Sequence, residues 1–197
     1  MGRNLLAILG LVLLFLTTLT TSAATVTANL TVDDRFDLYV STDDTQLGTY
    51  IGSAEDWSVA STFTFDLTPG VTNYIHVAGS DVYQVIAAFM GDFSVDDTSF
   101  AFANGAQTLL TDIAHWNISN TGFGQDYYTP DEVAINGDGP WGSFPEISSD
   151  AKWIWSNCGY DLLTTRYFST PITPIPEPAT MSLLILGGVA VLLKRFK

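Results

Sequence analysis

Hydrophobic and polar residues alternate along much of this chain. Over residues 25–32 the polar positions are threonine and asparagine, and the apolar positions between them are Val26, Ala28, Leu30 and Val32. A two-residue period places alternate side chains on opposite faces of a strand, so the pattern predicts a half-buried β-strand. Residues 36–40, 62–67 and 73–78 repeat it, and we predict strands there as well.

The later apolar runs are less regular. Residues 82–90 are nearly all apolar, which predicts a central strand buried on both faces, although periodicity alone leaves a short helix open. Residues 115–119, 151–155 and 166–168 predict further short strands. Residues 121–144 are rich in glycine, aspartate, tyrosine and proline, and we expect a long loop of the kind that often carries function.

Short strands separated by turn-forming residues favour an all-β fold, a β-sandwich or jelly roll in a single domain. We assign residues 25–169 to this domain, a length that can bury its own core. Residues 170–175 alternate proline with threonine and isoleucine, which predicts an extended Pro/Thr spacer after the domain.

The first 24 residues have the pattern of a secretory signal peptide. Arg3 precedes an apolar run over residues 5–16, and small or hydroxylated residues follow. These three parts are the charged, apolar and cleavage regions that signal peptidase recognises. We expect cleavage after Ala24, with cleavage after Ala23 as the alternative. A retained N-terminal anchor is the competing interpretation, but the apolar run is short for that role.

An apolar segment of 13 residues, 181–193, lies near the other end and is followed by a basic tail, residues 194–197. A membrane-spanning helix usually needs about 17 to 25 residues, so this predicted anchor helix is short for a span. Lys194 and Arg195 in the tail resist translocation and would stay on the cytoplasmic side. The pattern therefore places the rest of the chain outside the inner membrane.

The tripeptide Pro176, Glu177 and Pro178 directly precedes the apolar segment. Together, residues 176–197 resemble the PEP-CTERM sorting signal of Gram-negative bacteria. The resemblance implies recognition by an exosortase, cleavage near the tripeptide, and an association with exopolysaccharide-producing, biofilm-forming species. It implies a membrane-anchored intermediate and then a place at the cell surface or in the extracellular matrix. An ordinary C-terminal membrane anchor is the alternative.

The charge balance narrows the class of ligand. Between residues 25 and 175, three basic residues stand against 20 acidic ones, a net charge of −17. Nucleic-acid binding is therefore excluded, because phosphate contacts need lysine and arginine. The single cysteine, Cys158, excludes an internal disulfide, and we expect it to be buried and inert, as free cysteines usually are.

Pairs of aspartates lie in the predicted turns and are candidate ligands for a cation. Calcium takes six to eight oxygen ligands, which carboxylates and backbone carbonyls of loops can supply. Asp33 and Asp34 are the first choice for a structural calcium site. Solvated aspartates that simply form turns are the alternative.

The stretch from residue 33 to residue 77 resembles the galactose-binding-like jelly-roll modules found on surface proteins and glycosidases. The residues that carry the resemblance are Asp33-Asp34-Arg35-Phe36-Asp37-Leu38-Tyr39-Val40, Gly48, Trp57 and Phe65-Asp66-Leu67-Thr68-Pro69-Gly70-Val71-Thr72-Asn73-Tyr74-Ile75-His76-Val77. The Asn-Gly of the usual first hairpin is absent here, and residues 41–48 replace it. The resemblance implies a sandwich fold, in a class that often holds a structural calcium, and hints at a sugar ligand.

Two of the five tryptophans are candidates for sugar binding. Aromatic faces pack against the C–H faces of sugar rings, while carboxylates accept hydrogen bonds from sugar hydroxyls. Trp57 and Trp141 lie in polar loops, where ligand binding and packing are equally good interpretations. The other three lie in strand-like runs, and we expect them in the core; they are Trp116, Trp153 and Trp155.

The chain carries no motif of nucleophilic or zinc-dependent catalysis, so we predict that it is not an enzyme. The preferred function is a secreted or surface-sorted β-sandwich that contributes to the exopolysaccharide matrix through weak carbohydrate binding. The alternative is a self-assembling or protein-binding surface module, and a hydrolase of matrix polysaccharide ranks third. We expect no required cofactor, with a structural calcium ion as the one candidate.

Overall fold

The computed structural model of the protein describes residues 23–160 and 165–175. The predicted sorting signal, with Pro176, Glu177, Pro178, Lys194 and Arg195, lies outside the described residues, and so does the predicted signal peptide except for Ala23 and Ala24. No helix in the described ranges is long and apolar enough to cross a membrane. The one helical element among them is a single 3-10 turn at Asn157–Gly159.

Two antiparallel sheets make up the described chain, which confirms the all-β prediction and is consistent with a β-sandwich. The first sheet runs in the order β10 (Asp131–Ile135), β11 (Lys152–Trp155), β6 (Ala88–Val95), β1 (Thr25–Asp33) and β4 (Ser61–Asp66), with β8 (Thr108–Leu110) also paired to β6. The second sheet runs in the order β3 (Thr49–Ala54), β2 (Arg35–Ser41), β5 (Asn73–Ser80), β12 (Thr165–Pro174) and β7 (Phe100–Phe102), with β9 (Asn117–Ser119) also paired to β12.

The main core is formed by the apolar positions of the alternating strands. Strand β1 contributes the four apolar residues of its alternating pattern, Val26, Ala28, Leu30 and Val32. The apolar positions of β2 and β5 enter the core in the same way. Trp116 lies in this core, with ring centroids 5.0 Å from Phe89 and 5.2 Å from Phe93. Burying such large apolar surfaces is the main source of stability, at about 1.5–3 kcal/mol for each fully buried large side chain.

A second apolar cluster covers part of the outer face of the first sheet. Trp141, Phe144 and Ile147 come from the segment between β10 and β11 and pack on Ala88, Met90, Ala151 and Trp153. The side chain of Asn136 fixes this covering segment: its amide donates to the Phe144 and Ile147 carbonyls at 2.9 and 2.8 Å. The outer face of the first sheet is therefore partly covered.

The first and last described strands meet at one turn. The backbone N–H of Thr25 donates to Oδ1 of Asp96 at 2.7 Å, and Asp96 N–H donates back to the Thr25 carbonyl at 3.1 Å. The backbone N–H of Ile175 donates to the Ser99 carbonyl at 2.7 Å, three residues further along. Both ends of the domain therefore lie at the same end of the fold.

The apolar run at 82–90 is only partly a strand. Strand β6 begins at Ala88, whereas Val82, Tyr83 and Val85 are 49, 78 and 70 % exposed in a loop. Asp34 fixes the start of this loop, because its Oδ2 accepts from the N–H groups of Val82 and Tyr83 at 2.7 and 3.0 Å. The prediction of a strand buried over the whole run was wrong for its first half.

Residues 170–175 are not a spacer outside the domain. Residues 170–174 form the second half of β12, where Ile172 pairs with Asn73 on one side and with Phe102 on the other. On one side of β12, the pairing with β9 ends at Ser169 and the pairing with β7 begins at Ile172. Pro171 lies in the gap between these two pairings. Proline is tolerated where no neighbouring strand needs its missing N–H.

Two further expectations are corrected. The predicted loop at 121–144 contains the edge strand β10, whose pairing with β11 is interrupted by a bulge between Glu132 and Ala134. The bulge breaks the two-residue period that would have identified the strand.

The expectation that Cys158 is buried was wrong. Cys158 is exposed, in a left-handed conformation with a φ of 53°.

Candidate functional site

The two tryptophans expected at a ligand surface both pack inward, to different degrees. Trp141 is 6 % exposed, and its ring stacks on Trp153 with centroids 4.6 Å apart. Trp57 is half-buried against the second cluster. The structure therefore gives Trp141 a packing role, because a covered ring cannot offer its face to a sugar. The core positions expected for Trp116, Trp153 and Trp155 are confirmed.

Asp33 and Asp34 are close together but have different surroundings. Asp33 is 7 % exposed, and its Oδ2 accepts a hydrogen bond of 2.7 Å from Nε1 of Trp141. Burial is the main effect that raises the pKa of Asp33 to about 7, and a hydrogen bond with the Asp34 carboxyl and the charges of Asp34 and Asp81 raise it as well. The hydrogen bond from Trp141 lowers the pKa but does not outweigh these effects. A carboxyl with this pKa is partly protonated at neutral pH.

Asp81 adds a third carboxyl near this pair. It is 1 % exposed; burial raises its pKa, and the charge of Asp34 adds to that increase against hydrogen bonds from backbone N–H groups. Across residues 23–160 and 165–175, no three histidine, cysteine, aspartate or glutamate side chains are grouped so that they could hold a metal ion. Calcium at Asp33 and Asp34 stays a prediction.

The outer face of the second sheet carries a group of side chains that we call the tyrosine face: Asp37 and Tyr50, which are exposed, and Tyr39, Ala78 and Tyr167, which are half-buried. The odd-numbered residues of β2 and β12 and the even-numbered residues of β5 point to this side, opposite the apolar core positions, although His76 and Ser169 on this side are also buried. Pairing then brings together residues that are distant in sequence.

The register of the strands sets the geometry of the tyrosine face. Tyr39 lies opposite Tyr50, with ring centroids 5.5 Å apart and planes at 63°. Ala78 lies between Asp37 on β2 and Tyr167 on β12. Because alanine is small, it leaves a depression floored by the sheet and walled by larger side chains.

Tyr39 stays a neutral phenol at ordinary pH. Burial, and then the negative charge of Asp37 and the neighbouring Tyr50 and Tyr167, raise the pKa of Tyr39 above its usual value. Its hydroxyl can therefore both donate and accept hydrogen bonds. Tyr50 is 55 % exposed, so part of its ring is open to solvent.

A polar pocket of about 170 Å³ adjoins the tyrosine face. The side chains that line it include Arg35, Asp37, Ser53, Glu55, Ala78 and Ser80. Pockets for drug-sized ligands usually start at about 300 Å³, so this one suits a single small polar unit. Asp37 and Ala78 belong to both the pocket and the tyrosine face, which makes the two continuous.

A half-buried hydrogen-bond hub lies beside the tyrosine face. Oδ1 of Asp44 accepts from Ser169 Oγ at 2.6 Å and from Tyr127 Oη at 2.9 Å, and lies 3.0 Å from His76 Nε2. Burial by itself raises the pKa of Asp44, but the bonds from His76, Ser169 and Tyr127 outweigh it and lower the pKa.

This hub does not have the geometry of an activated nucleophile. Ser169 donates to Asp44 rather than to His76, and His76 is fully buried beneath Phe123, with ring centroids 4.0 Å apart. Nucleophilic catalysis needs the hydroxyl within reach of the histidine base. The hub instead connects the turn after β2 and the segment around Tyr127 to β5 and β12.

A larger cleft of about 310 Å³ opens at the edge between β3 and β4. Val40, Ile51 and Phe65 line it together with a rim of hydroxyl groups. It holds one charged side chain, Asp66, whose Oδ1 already accepts a hydrogen bond from Thr25 at 2.9 Å. The cleft therefore offers less polar recognition than the polar pocket.

The comparisons with known proteins leave the family open: the chain matches no family model, no curated protein and no solved structure.

Proposed function

We propose that this protein is an exported, non-enzymatic β-sandwich that binds carbohydrate of an extracellular matrix through the tyrosine face and the polar pocket. The observation that carries the proposal is that the tyrosine face and a pocket of charged and hydroxyl side chains share Asp37 and Ala78. Sugar rings have apolar C–H faces and polar edges, so they need both kinds of surface at once.

The arrangement suits weak binding to a polymer. The tyrosine face is a partly exposed surface along a sheet, and so could contact more than one unit of a chain. Tyrosine buries a large area with few rotatable bonds, which limits the entropy lost on binding. The hydroxyls of Ser53 and Ser80 and the charged groups of Arg35 and Glu55 would then orient one unit in the pocket.

The proposed export rests on the two ends of the chain. Residues 1–24 would direct secretion and be removed by signal peptidase. Residues 176–197, through their resemblance to the PEP-CTERM signal, would hold the protein at the inner membrane until an exosortase acts at Pro176, Glu177 and Pro178. The product would then be released to the cell surface or the polysaccharide matrix.

Binding of the full-length protein to matrix polysaccharides tests this proposal. The protein is purified in a polyoxyethylene detergent, because glucoside detergents would compete for a sugar site. We expect Tyr39→Ala and Tyr167→Ala each to weaken binding about tenfold, since an aromatic contact contributes on the order of 1 kcal/mol or more. Tyr83→Ala is the matched control, because Tyr83 is 78 % exposed on a different loop. Binding that survives both substitutions would sink the proposal.

A second candidate function is a protein-binding or self-assembling module. Val82, Tyr83, Val85 and Tyr160 are all exposed, and a hydrogen bond of 3.0 Å from Ala87 N–H to the Gly159 carbonyl joins their two segments. Exposed apolar patches often mark protein interfaces. Light scattering without sugar separates the two functions: a mass above the monomer that Tyr83→Ala and Val85→Ala reduce would favour assembly.

A further inference from the structure

The polar pocket has more negative than positive charge. Its charged side chains are one arginine, Arg35, and two carboxylates, Asp37 and Glu55. Asp37 also belongs to the tyrosine face, where its charge acts on Tyr39. A ligand that carries a positive group would therefore meet a favourable field at the Asp37 side of the pocket.

The rest of the described surface offers little to attract an anionic polymer. Among the three basic side chains between residues 25 and 175, Arg166 is buried and Lys152 is 2.8 Å from a carboxylate oxygen of Glu132. Arg35 is the remaining exposed cation of the described ranges, and the two pocket carboxylates accompany it. Polymers of uronic acid would therefore be repelled.

Aromatic rings add a second attraction for cations. A positive group over the face of a tyrosine is attracted by the ring quadrupole, and a nearby carboxylate strengthens the site. Tyr39 and Tyr167 lie on the two strands that flank Ala78, and Asp37 lies opposite Ala78 on the same side of the sheet. This combination matches a protonated amine attached to a ring with apolar faces.

We infer that the tyrosine face and polar pocket select glycans that carry free amino groups, with the ammonium group at Asp37 and the sugar ring against Tyr39 and Tyr167. The inference rests on the proposed carbohydrate-binding function and narrows it to one class of ligand. Neutral glycans bind more weakly, and uronic-acid polymers do not bind.

The test compares four polymers with the full-length protein in the same polyoxyethylene detergent. The polymers are partly deacetylated poly-N-acetylglucosamine, its fully acetylated form, a polyuronate and polylysine. We expect Asp37→Asn to weaken binding to the deacetylated polymer about five- to tenfold, and to weaken binding to the acetylated polymer by a smaller factor of about twofold, because only the ammonium group loses its counter-charge. Asp150→Asn is the control, because it removes the same charge from an exposed loop; we expect a change below about twofold.

The outcomes separate this inference from the function on which it rests. Equal binding of the acetylated and deacetylated polymers, lost in Tyr39→Ala, would retain carbohydrate binding and overturn the selection for amines. Binding to the polyuronate would overturn it too. If polylysine binds as tightly as the deacetylated polymer and Asp150→Asn acts like Asp37→Asn, the attraction is general charge and the inference fails. If the unsubstituted protein binds none of the three polysaccharides, both proposals are overturned.

Discussion

Nε1 of Trp141 donates a hydrogen bond of 2.7 Å to Oδ2 of Asp33, a residue 108 positions earlier in the chain. The bond is buried and joins the segment that covers the first sheet to the end of β1. It satisfies the indole N–H inside an apolar cluster, where an unpaired donor would be unfavourable. Two sequence candidates for ligand binding thus bind each other.

This bond should be measurable as a coupling energy. We expect a double-mutant cycle of Trp141→Phe and Asp33→Ala to give about 1–3 kcal/mol, measured as the free energy of unfolding in denaturant. Trp57→Phe with Asp33→Ala is the matched cycle, and it should give a value near zero. A coupling energy within about 0.3 kcal/mol of zero for the Trp141 pair would show that the bond contributes nothing to stability.

The raised pKa of Asp33 predicts a pH dependence of stability. Between the unfolded pKa of 3.8 and the folded value of about 7, the folded protein holds a proton that the unfolded chain has lost. This contribution is complete below the unfolded pKa and is lost as the pH rises through about 7.

Asp33→Asn removes this titration and keeps a hydrogen-bond acceptor for Trp141. Relative to the unsubstituted protein, the variant should therefore gain about 2–3 kcal/mol in unfolding free energy between about pH 5 and pH 8. Chemical denaturation at both pH values measures the difference. A difference that does not change with pH would contradict the assigned burial of the Asp33 charge.

Asp44 should be the most sensitive of the turn aspartates. Asp44→Ala removes the acceptor shared by His76, Tyr127 and Ser169, and we expect a loss of about 2–4 kcal/mol in unfolding free energy. Limited proteolysis should also cut faster near residue 127. The neighbouring Asp43→Ala removes only contacts to Thr45 in an exposed turn, and it should lose about 1 kcal/mol or less. Equal losses would argue against the hub.

Two glycines in left-handed turns should respond differently to alanine. Gly48 has a φ of 80°, and a Cβ there would overlap the carbonyl oxygen of Val40 and the backbone of Ser41. Gly70 has a φ of 73° and open space around a Cβ. Gly70→Ala should lose about 1 kcal/mol from strain alone, whereas Gly48→Ala should lose at least about 2 kcal/mol more in thermal or chemical unfolding. A similar loss for both would rule out the overlap.

The alternating strands could be predicted from the sequence, because a half-buried strand records its two faces in its residues. Strands β1, β2, β4 and β5 were found within two residues of their ends. The run at 82–90 was misleading because its first apolar residues belong to an exposed loop capped by Asp34. Strand β12 was cut short because Pro171 and Pro174 look like spacer residues until the neighbouring strands are known.

The candidate site could be predicted only in part. The period of β2 already placed Asp37 and Tyr39 together on the outer side, which is the one signal that the sequence contains. Tyr167 lies 128 positions after Tyr39, and only the pairing of β2, β5 and β12 brings it to the same face. Trp57 and Trp141 are candidates because their sequence neighbours are polar, which leaves ligand binding and packing equally good interpretations; burial depends on contacts that are distant in the chain.

The turn at residues 96–99 has a practical consequence. Because it holds both Thr25 and Ile175, the chain enters and leaves the fold at nearly the same place. Residues 24–175 are therefore suited to domain insertion: they could be inserted into a surface loop of an unrelated carrier protein without separating the two ends of that loop. The same arrangement would let many copies be displayed side by side on a scaffold, each attached at the end of the fold where Thr25 and Ile175 lie.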